Sequence, residues 1–331
     1  MSFLLKPLRG IGAAAAIVCA MSSLGAAALA ATDYPTHPIT LIVPQSPGSV
    51  ADIMARAISV PMATYLKQPI IVENRAGASG VIGAQLAARA APDGYTLFVG
   101  SVSTHGLLSG TQANLPYDPV KDFRGVSQIN DSPLALVVNP ASGIKTMKDL
   151  VERARKEPGK LSYASAGNGS GSRFTVELLR LQEHLDMLHV PYRSPMEAVQ
   201  AVVAGQATLA SPSLPSVPEL IKAGRLQALA VTVPKRSPLL PDVPTTAEAG
   251  YPGVVFTSWT GIFAPANTPD AIIDRLNNAV REALKDPAVI EHIKATGATP
   301  VSQSPSEFDA FVRSEVKKWV VAAQEAGITP Q

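Results

Sequence analysis

The sequence predicts an α/β protein of two lobes, and three observations carry that expectation. From Ile39 onward, short apolar runs rich in β-branched residues alternate with stretches of helical periodicity. Strand after strand runs through a turn of Gly, Ser, Thr or Asn directly into a helix start, the βαβ pattern of a mainly parallel sheet. The 331 residues amount to about two domains at roughly 150 residues each.

Taken in order, the strands are expected at 39–43, 70–73, 96–100, 135–138, 161–165, 188–192, 226–231 and 255–263, with helices filling most of the gaps. Four helices announce their starts by a hydroxyl N-cap and an acid three residues on: Ser49 with Asp52, Thr146 with Asp149, Ser194 with Glu197, and Ser304 with Glu307. Pro195, Pro269 and Pro305 stand where a first helical residue belongs. Near the C-terminus, Ile272, Ile273, Leu276, Ala279, Val280, Ala283 and Leu284 make one apolar stripe. Phe308, Phe311, Val312, Val316, Trp319 and Val320 make another, and both read as core. Gly297 and Gly327 read as helix stops. Too few strands follow residue 255 for a third lobe, so the chain is expected to cross between two lobes more than once. The proline-rich stretch 234–252 reads as an ordered surface connection.

Residues 1–30 have the layout of an export signal. Lys6 and Arg9 precede an apolar stretch, and Ala28-Leu29-Ala30 makes a small-x-small cleavage site, so cleavage is expected after Ala30. An uncleaved anchor is the competing reading, but the Ala, Gly and Ser content makes the stretch weakly apolar for a membrane span. Cys19, the only cysteine, lies in this segment, and Ile17-Val18 ahead of it lack the small residue of a lipoprotein signal. Without Lys6 and Arg9 the 28 basic residues fall to 26, equal to the 26 acidic ones, and the exported chain is neutral. That balance, with no basic run, argues against nucleic acid and anionic membranes as partners. A cysteine-free chain excludes disulfides, thiolate nucleophiles and Cys-ligated metal.

Catalytic and cofactor patterns are missing. No serine has glycines two positions before and after it, no phosphate-binding Gly-rich loop ends in Lys-Ser/Thr, and His37, His105, His184, His189 and His292 show no metal-ligand spacing. Gly77, Gly80 and Gly83 do not make a dinucleotide fingerprint. No cofactor and no metal are expected. What recurs is the turn into a helix start, at 44–49, 74–80, 100–106, 166–172 and 192–194. Each start offers unpaired N–H groups and a positive dipole end, and small residues let a ligand approach the backbone. Several converging on one cleft would hold a small carboxylate, although any one of them alone reads as ordinary turn punctuation. Asp52 and Glu197 read as caps.

Longer motifs carry a family resemblance. Val72-Glu73-Asn74-Arg75, Ala91-Pro92-Asp93-Gly94-Tyr95-Thr96-Leu97, Leu115-Pro116-Tyr117-Asp118-Pro119, Ser165-Ala166-Gly167-Asn168-Gly169 and His189-Val190-Pro191-Tyr192 occur in order along the chain. With Tyr34-Pro35, Pro38-Ile39, Asp122-Phe123 and the stretch 237–250, they resemble the Bug receptors, the extracytoplasmic solute-binding proteins of the tripartite tricarboxylate transporter family. The resemblance implies a type II periplasmic-binding-protein fold, two α/β lobes joined by crossover segments with a ligand cleft between them. It places 1–30 as signal peptide, 31–127 with 258–331 in lobe 1, and 128–257 in lobe 2. It implies a periplasmic receptor with a small organic acid as ligand and permease subunits as partners; a monomer is expected because a clamshell needs free lobes, and no enzyme is expected because the sequence offers no paired nucleophile and base. An orphan sensor acting through a signalling partner is the alternative.

Carried over residue by residue, the resemblance marks Gln45, Ser46, Pro47, Gly48 and Ser49 in the first loop, and Ser101, Ser103 and Thr104 in the next. In lobe 2 it marks Ala166, Gly167, Asn168, Gly169 and Ser170. Arg193 reads either as a partner for a distal carboxylate or as a solvated surface arginine. Ser211 and Ser213 lie within the largest departure, 205–216, where relatives usually carry aspartate at the positions of Thr208 and Pro212 and asparagine at that of Ser213. Loss of the acid at 212 removes a partner for a ligand ammonium, so amino acids are expected to be disfavoured and a neutral or additional acidic ligand group is expected to face Ser211 and Ser213.

Overall fold

The structure is a computed structural model, and it describes residues 34–330. The expected signal segment and its cleavage site lie outside the described residues. No described helix is long and apolar enough to cross a membrane.

The chain opens with β1 (Ile39–Val43), α1 (Val50–Leu66), β2 (Ile70–Asn74), α2 (Val81–Ala88), β3 (Thr96–Ser101) and the single turn α3 (Leu108–Thr111). A long strand, β4 (Phe123–Pro133), carries it to β5 (Ala135–Val138), α4 (Met147–Lys156), β6 (Ser162–Ser165), α5 (Gly171–Glu183) and β7 (Leu188–Pro191). Then come α6 (Pro195–Val203), β8 (Leu209–Ala210), α7 (Pro218–Lys222) and β9 (Gln227–Val231). The return strand β10 (Thr257–Pro265) leads to α8 (Asp270–Ala283), α9 (Pro287–Ala295), β11 (Thr299–Pro300) and α10 (Pro305–Glu325).

These elements form two sheets, a six-stranded one ordered β11-β4-β10-β3-β1-β2 and a five-stranded one ordered β7-β6-β8-β5-β9. The βαβ units pair in parallel as the sequence predicts: β1 with β2 and β3, and β6 with β7 and β8. The sheets as wholes are mixed, which corrects the expectation of a mainly parallel arrangement. The reason is the double crossing. β4 leaves the first lobe and β10 comes back beside it, so they pair antiparallel, and β5 enters the second sheet antiparallel to β8 and β9.

Each sheet is buried on both faces. The α8 stripe, together with Met54, Ile58 and Met62 of α1, packs on one face of the first sheet. On its other face, Phe308, Val312 and Trp319 of α10 join Phe98, Trp259 and Phe263. That second cluster runs on into lobe 2, where the Trp319 ring lies 5.4 Å from Phe174 of α5 and 5.0 Å from Phe256. The lobes are thus joined at the back by packed aromatics, and Lys318 Nζ donates to the Val255 carbonyl at 3.0 Å across the same seam. The expected caps are formed, with full capping boxes at Thr146/Asp149 and Ser304/Glu307.

Candidate functional site

In front of that seam the lobes leave a cleft of about 440 Å3, lined from both sides. Lobe 1 contributes Gln45, Ser101, Ser103 and Leu107, and lobe 2 contributes Ala166, Gly169, Ser170, Gly171 and Ser172. Ser211, Pro212 and Ser213 border it, and β4 and β10 form its floor. A second hollow of about 420 Å3 opens off it within lobe 1, sharing Pro44, Gln45, Ser101 and Ser103 and reaching Ser46, Ser49 and Thr104.

The first loop is braced from below. Ser49 Oγ accepts the Asp52 N–H at 3.3 Å, while Asp52 Oδ2 accepts the Gly48 N–H at 2.9 Å. The same carboxylate takes Arg56 Nε at 3.0 Å and Asn74 Nδ2 at 2.9 Å, and Asn74 also donates to the Gln45 carbonyl. The Arg56 guanidinium, with the Gly48 and Asn74 donors, outweighs burial and holds Asp52 down to about 2. Asp52 is a structural anchor that leaves the next N–H groups at the start of α1 without intrahelical acceptors.

The loop after β3 is a wide turn, with the Leu107 N–H donating to the Val102 carbonyl. Thr104, 1% exposed, accepts the Ser101 N–H on Oγ1 at 3.0 Å, and the same atom meets His105 Nδ1 at 3.0 Å. His105 is fully buried and stacks on Phe263 with centroids 3.9 Å apart. Burial lowers its pKa to about 3, so it is a neutral brace for Thr104.

In lobe 2 the start of α5 is built by its own serines. Ser170 Oγ accepts the Arg173 N–H and donates to the Gly167 carbonyl at 2.7 Å, while Ser172 Oγ accepts the Ala166 N–H at 3.1 Å. Gly171 packs against Phe256 so closely that a Cβ there would meet the ring at 2.4 Å. Beneath the loop, Ser165 Oγ and His189 Nε2 are 2.6 Å apart, and buried Glu177 binds Tyr163, Arg173 and Arg180. Burial, with Arg173 adding to it, lowers His189 to about 4.

Of the residues marked from sequence, Gln45, Ser101, Ser103, Ala166, Gly169 and Ser170 come together in the cleft with Ser211 and Ser213. Ser46, Ser49 and Thr104 border only the adjoining hollow. Pro47, Gly48, Gly167, Asn168 and Arg193 line neither. Asn168 is exposed and accepts Arg173 Nη1 at 2.8 Å, and Arg193 is exposed with its N–H on Glu197. Thr208 pairs with Ser162 on the strand.

The floor was missed in the sequence. Asn130 and Ser132 on β4 stand opposite Thr260 and Ser258 on β10, so four polar side chains share one face of the paired strands. The intervening pair, Asp131 and Trp259, points to the reverse face, where Trp259 Nε1 donates to Glu315 at 2.8 Å. The alternation of Ser258, Trp259 and Thr260 was the available signal. Among the described residues, none that lines the cleft is charged.

Comparison with known proteins gives the family. Residues 54–328 match the model described as the tripartite tricarboxylate transporter family receptor. Protein BugT of Bordetella pertussis is 37% identical over 303 residues, covering 91% of this chain and 93% of that protein. A solved structure of a Rhodopseudomonas palustris protein with bound malate is 33% identical with a TM-score of 0.72, covering 88% of this chain and 100% of that one. Another R. palustris structure, with adipate, is 32% identical with a TM-score of 0.75, covering 90% and 100%.

Proposed function

We propose, from the premise that this chain belongs to the tripartite tricarboxylate transporter receptor family, that it is an exported receptor which captures a small organic carboxylate between its lobes and presents it to membrane permease subunits. The matching family model is described as a transporter family receptor, which supports binding rather than catalysis. The observation that carries the reading is the cleft itself. Helix starts from both lobes, α1 and α5, meet there among small residues, and backbone N–H groups at such ends bind anions. Two similar proteins hold carboxylates, malate and adipate.

In this reading, lobe 1 comprises 31–127 with 258–331 and lobe 2 comprises 128–257, and signal peptidase releases the chain after Ala30. Ligand touching both lobes stabilises the closed form by its differential affinity. Gln45, Ser101, Ser103, Gly169, Ser170 and Ser211 supply the nearest polar contacts. With Pro212 in place of an acid and no carboxylate in the lining, a ligand ammonium would lose its hydration without a counter-charge.

Thermal unfolding of residues 31–331 against organic acids and their amino-acid counterparts tests this. Ligand at about 100 times its Kd adds roughly 2.7 kcal/mol, an upward shift of several degrees. The expected result is a shift with an organic acid and a smaller one with its amino analogue. No shift with any carboxylate, in protein that mass spectrometry shows to be ligand-free, overturns the reading.

A further inference from the structure

The two ends of the cleft differ in charge. At the α5 end no acid occupies the first turn, and the helix start carries roughly half a positive charge. Behind it Arg173 and Arg180 flank one carboxylate, Glu177, so this end is net positive. At the floor the order is reversed. On the back of the strands that carry Asn130, Ser132, Ser258 and Thr260 lie two carboxylates, Asp131 and Glu315, which repel one another. The nearest cation there is Lys318, 3.7 Å from Glu315.

One ligand carboxylate therefore finds a favourable end. A second, at the floor, would lose its water with no cation lining the cleft and two carboxylates behind the wall. Uncharged hydrogen-bonding groups find the opposite situation. Ser211 is 0% exposed and Asn130 2%, both line the cleft, and Ser211 Oγ and Asn130 Oδ1 have no partner among the described residues. Buried polar atoms left unpaired by a fold call for a partner from elsewhere.

We propose, resting on the receptor reading above, that the ligand is a monocarboxylate whose remainder is uncharged and hydroxylated. Its carboxylate lies at the start of α5 and its hydroxyls lie against Ser211 and the polar floor of β4 and β10. The floor acts as a selectivity filter against a second carboxylate, since its face holds no cation and Asp131 and Glu315 stand behind it, and an ammonium there would be desolvated without a carboxylate in contact.

A set of six-carbon acids separates the parts of this assignment. Gluconate, hexanoate, adipate, glucarate and 6-aminohexanoate would be titrated calorimetrically into protein recovered from the periplasm and dialysed free of ligand. Gluconate is expected to bind at least tenfold tighter than each of the others. Tighter binding of adipate, glucarate or 6-aminohexanoate overturns the proposal and leaves the receptor reading standing. Hexanoate at or above gluconate removes the role of the hydroxyls. No binding by any member overturns the proposal, and the thermal panel above then decides whether the receptor reading falls with it. Ser211→Ala supplies a second readout. It should weaken gluconate about tenfold without lowering the melting temperature of the free protein, because Oγ has no internal partner to lose. A lowered melting temperature with unchanged affinity gives that hydroxyl a structural role and overturns its assignment.

Discussion

Asp131 and two histidines, the buried His105 and the half-buried His189, pull the pH dependence of stability in opposite directions. Burial, reinforced by Glu315 and eased by the Gln128 hydrogen bond, raises Asp131 to about 6. Between the unfolded value near 4 and about 6 the folded state holds more protons, so this group's contribution declines as pH rises through that window. Asp131→Asn keeps the acceptor for Gln128 and should stabilise the protein at pH 7 by roughly 2 kcal/mol, with no gain below pH 4. Urea midpoints at the two pH values check this. His105 and His189 act with the other sign, because burial depresses them to about 3 and about 4. The unfolded chain takes up their protons near pH 6.5, so stability is complete above that and falls on acidification by about 1.4 kcal/mol per pH unit for His105 and by less for the solvent-screened His189. In His105→Phe the slope between pH 6.5 and 4.5 should fall by about 1.4 kcal/mol per pH unit, the share of one group. An unchanged slope would mean the ring is not held neutral in the fold.

At the scale of elements, the start of α5 is the piece on which the cleft depends. Ser170 caps the helix, and its loss in Ser170→Ala should cost about 1 kcal/mol and leave the Gly167 carbonyl with only the longer Ser165 Oγ donor at 3.3 Å as hydroxyl partner. Gly171 is a sharper probe. A Cβ there meets Phe256 at 2.4 Å, so Gly171→Ala must push the helix start and its N–H groups off the cleft wall. Ligand affinity should fall by tenfold or more, and the double variant with Phe256→Leu should recover part of it. Failure of that rescue, with stability intact, would place the anion elsewhere. At the first loop the equivalent work is done from behind by Asp52, which pins Gly48, Asn74 and Arg56.

For the whole molecule, the two tryptophans of the sequence stand at the hinge and both donate to Glu315, at 2.8 Å from Trp259 and 2.9 Å from Trp319. Only Trp319 also touches lobe 2, through Phe174 and Phe256. Closure of the lobes should therefore change its emission. Ligand should alter the fluorescence of the wild type and of Trp259→Phe, and the change should largely vanish in Trp319→Phe. The opposite pattern would mean that the aromatic seam does not move.

Local chemistry along the chain dictates the elements and their lobe-building units. The caps at Ser49, Thr146, Ser194 and Ser304, the stripes of α8 and α10, and the parallel βαβ pairs follow from local chemistry that a single chain segment carries. The loops at Gln45, Ser101 and Ala166–Ser170 were legible for the same reason, since a helix start needs a particular turn. The rest follows from long-range packing. β4 is polar, holds glycine and ends in proline, so it lacks a strand's usual signature until β10 pairs with it. The polar floor exists only because two strands more than a hundred residues apart bring Asn130 beside Thr260 and Ser132 beside Ser258. Arg193 and Asn168, polar and in the right loops, face outward, because which side of a turn meets the cleft depends on how the lobes dock. Burial and the placing of charge behind a wall are properties of packing, and they leave no pattern in the order of residues.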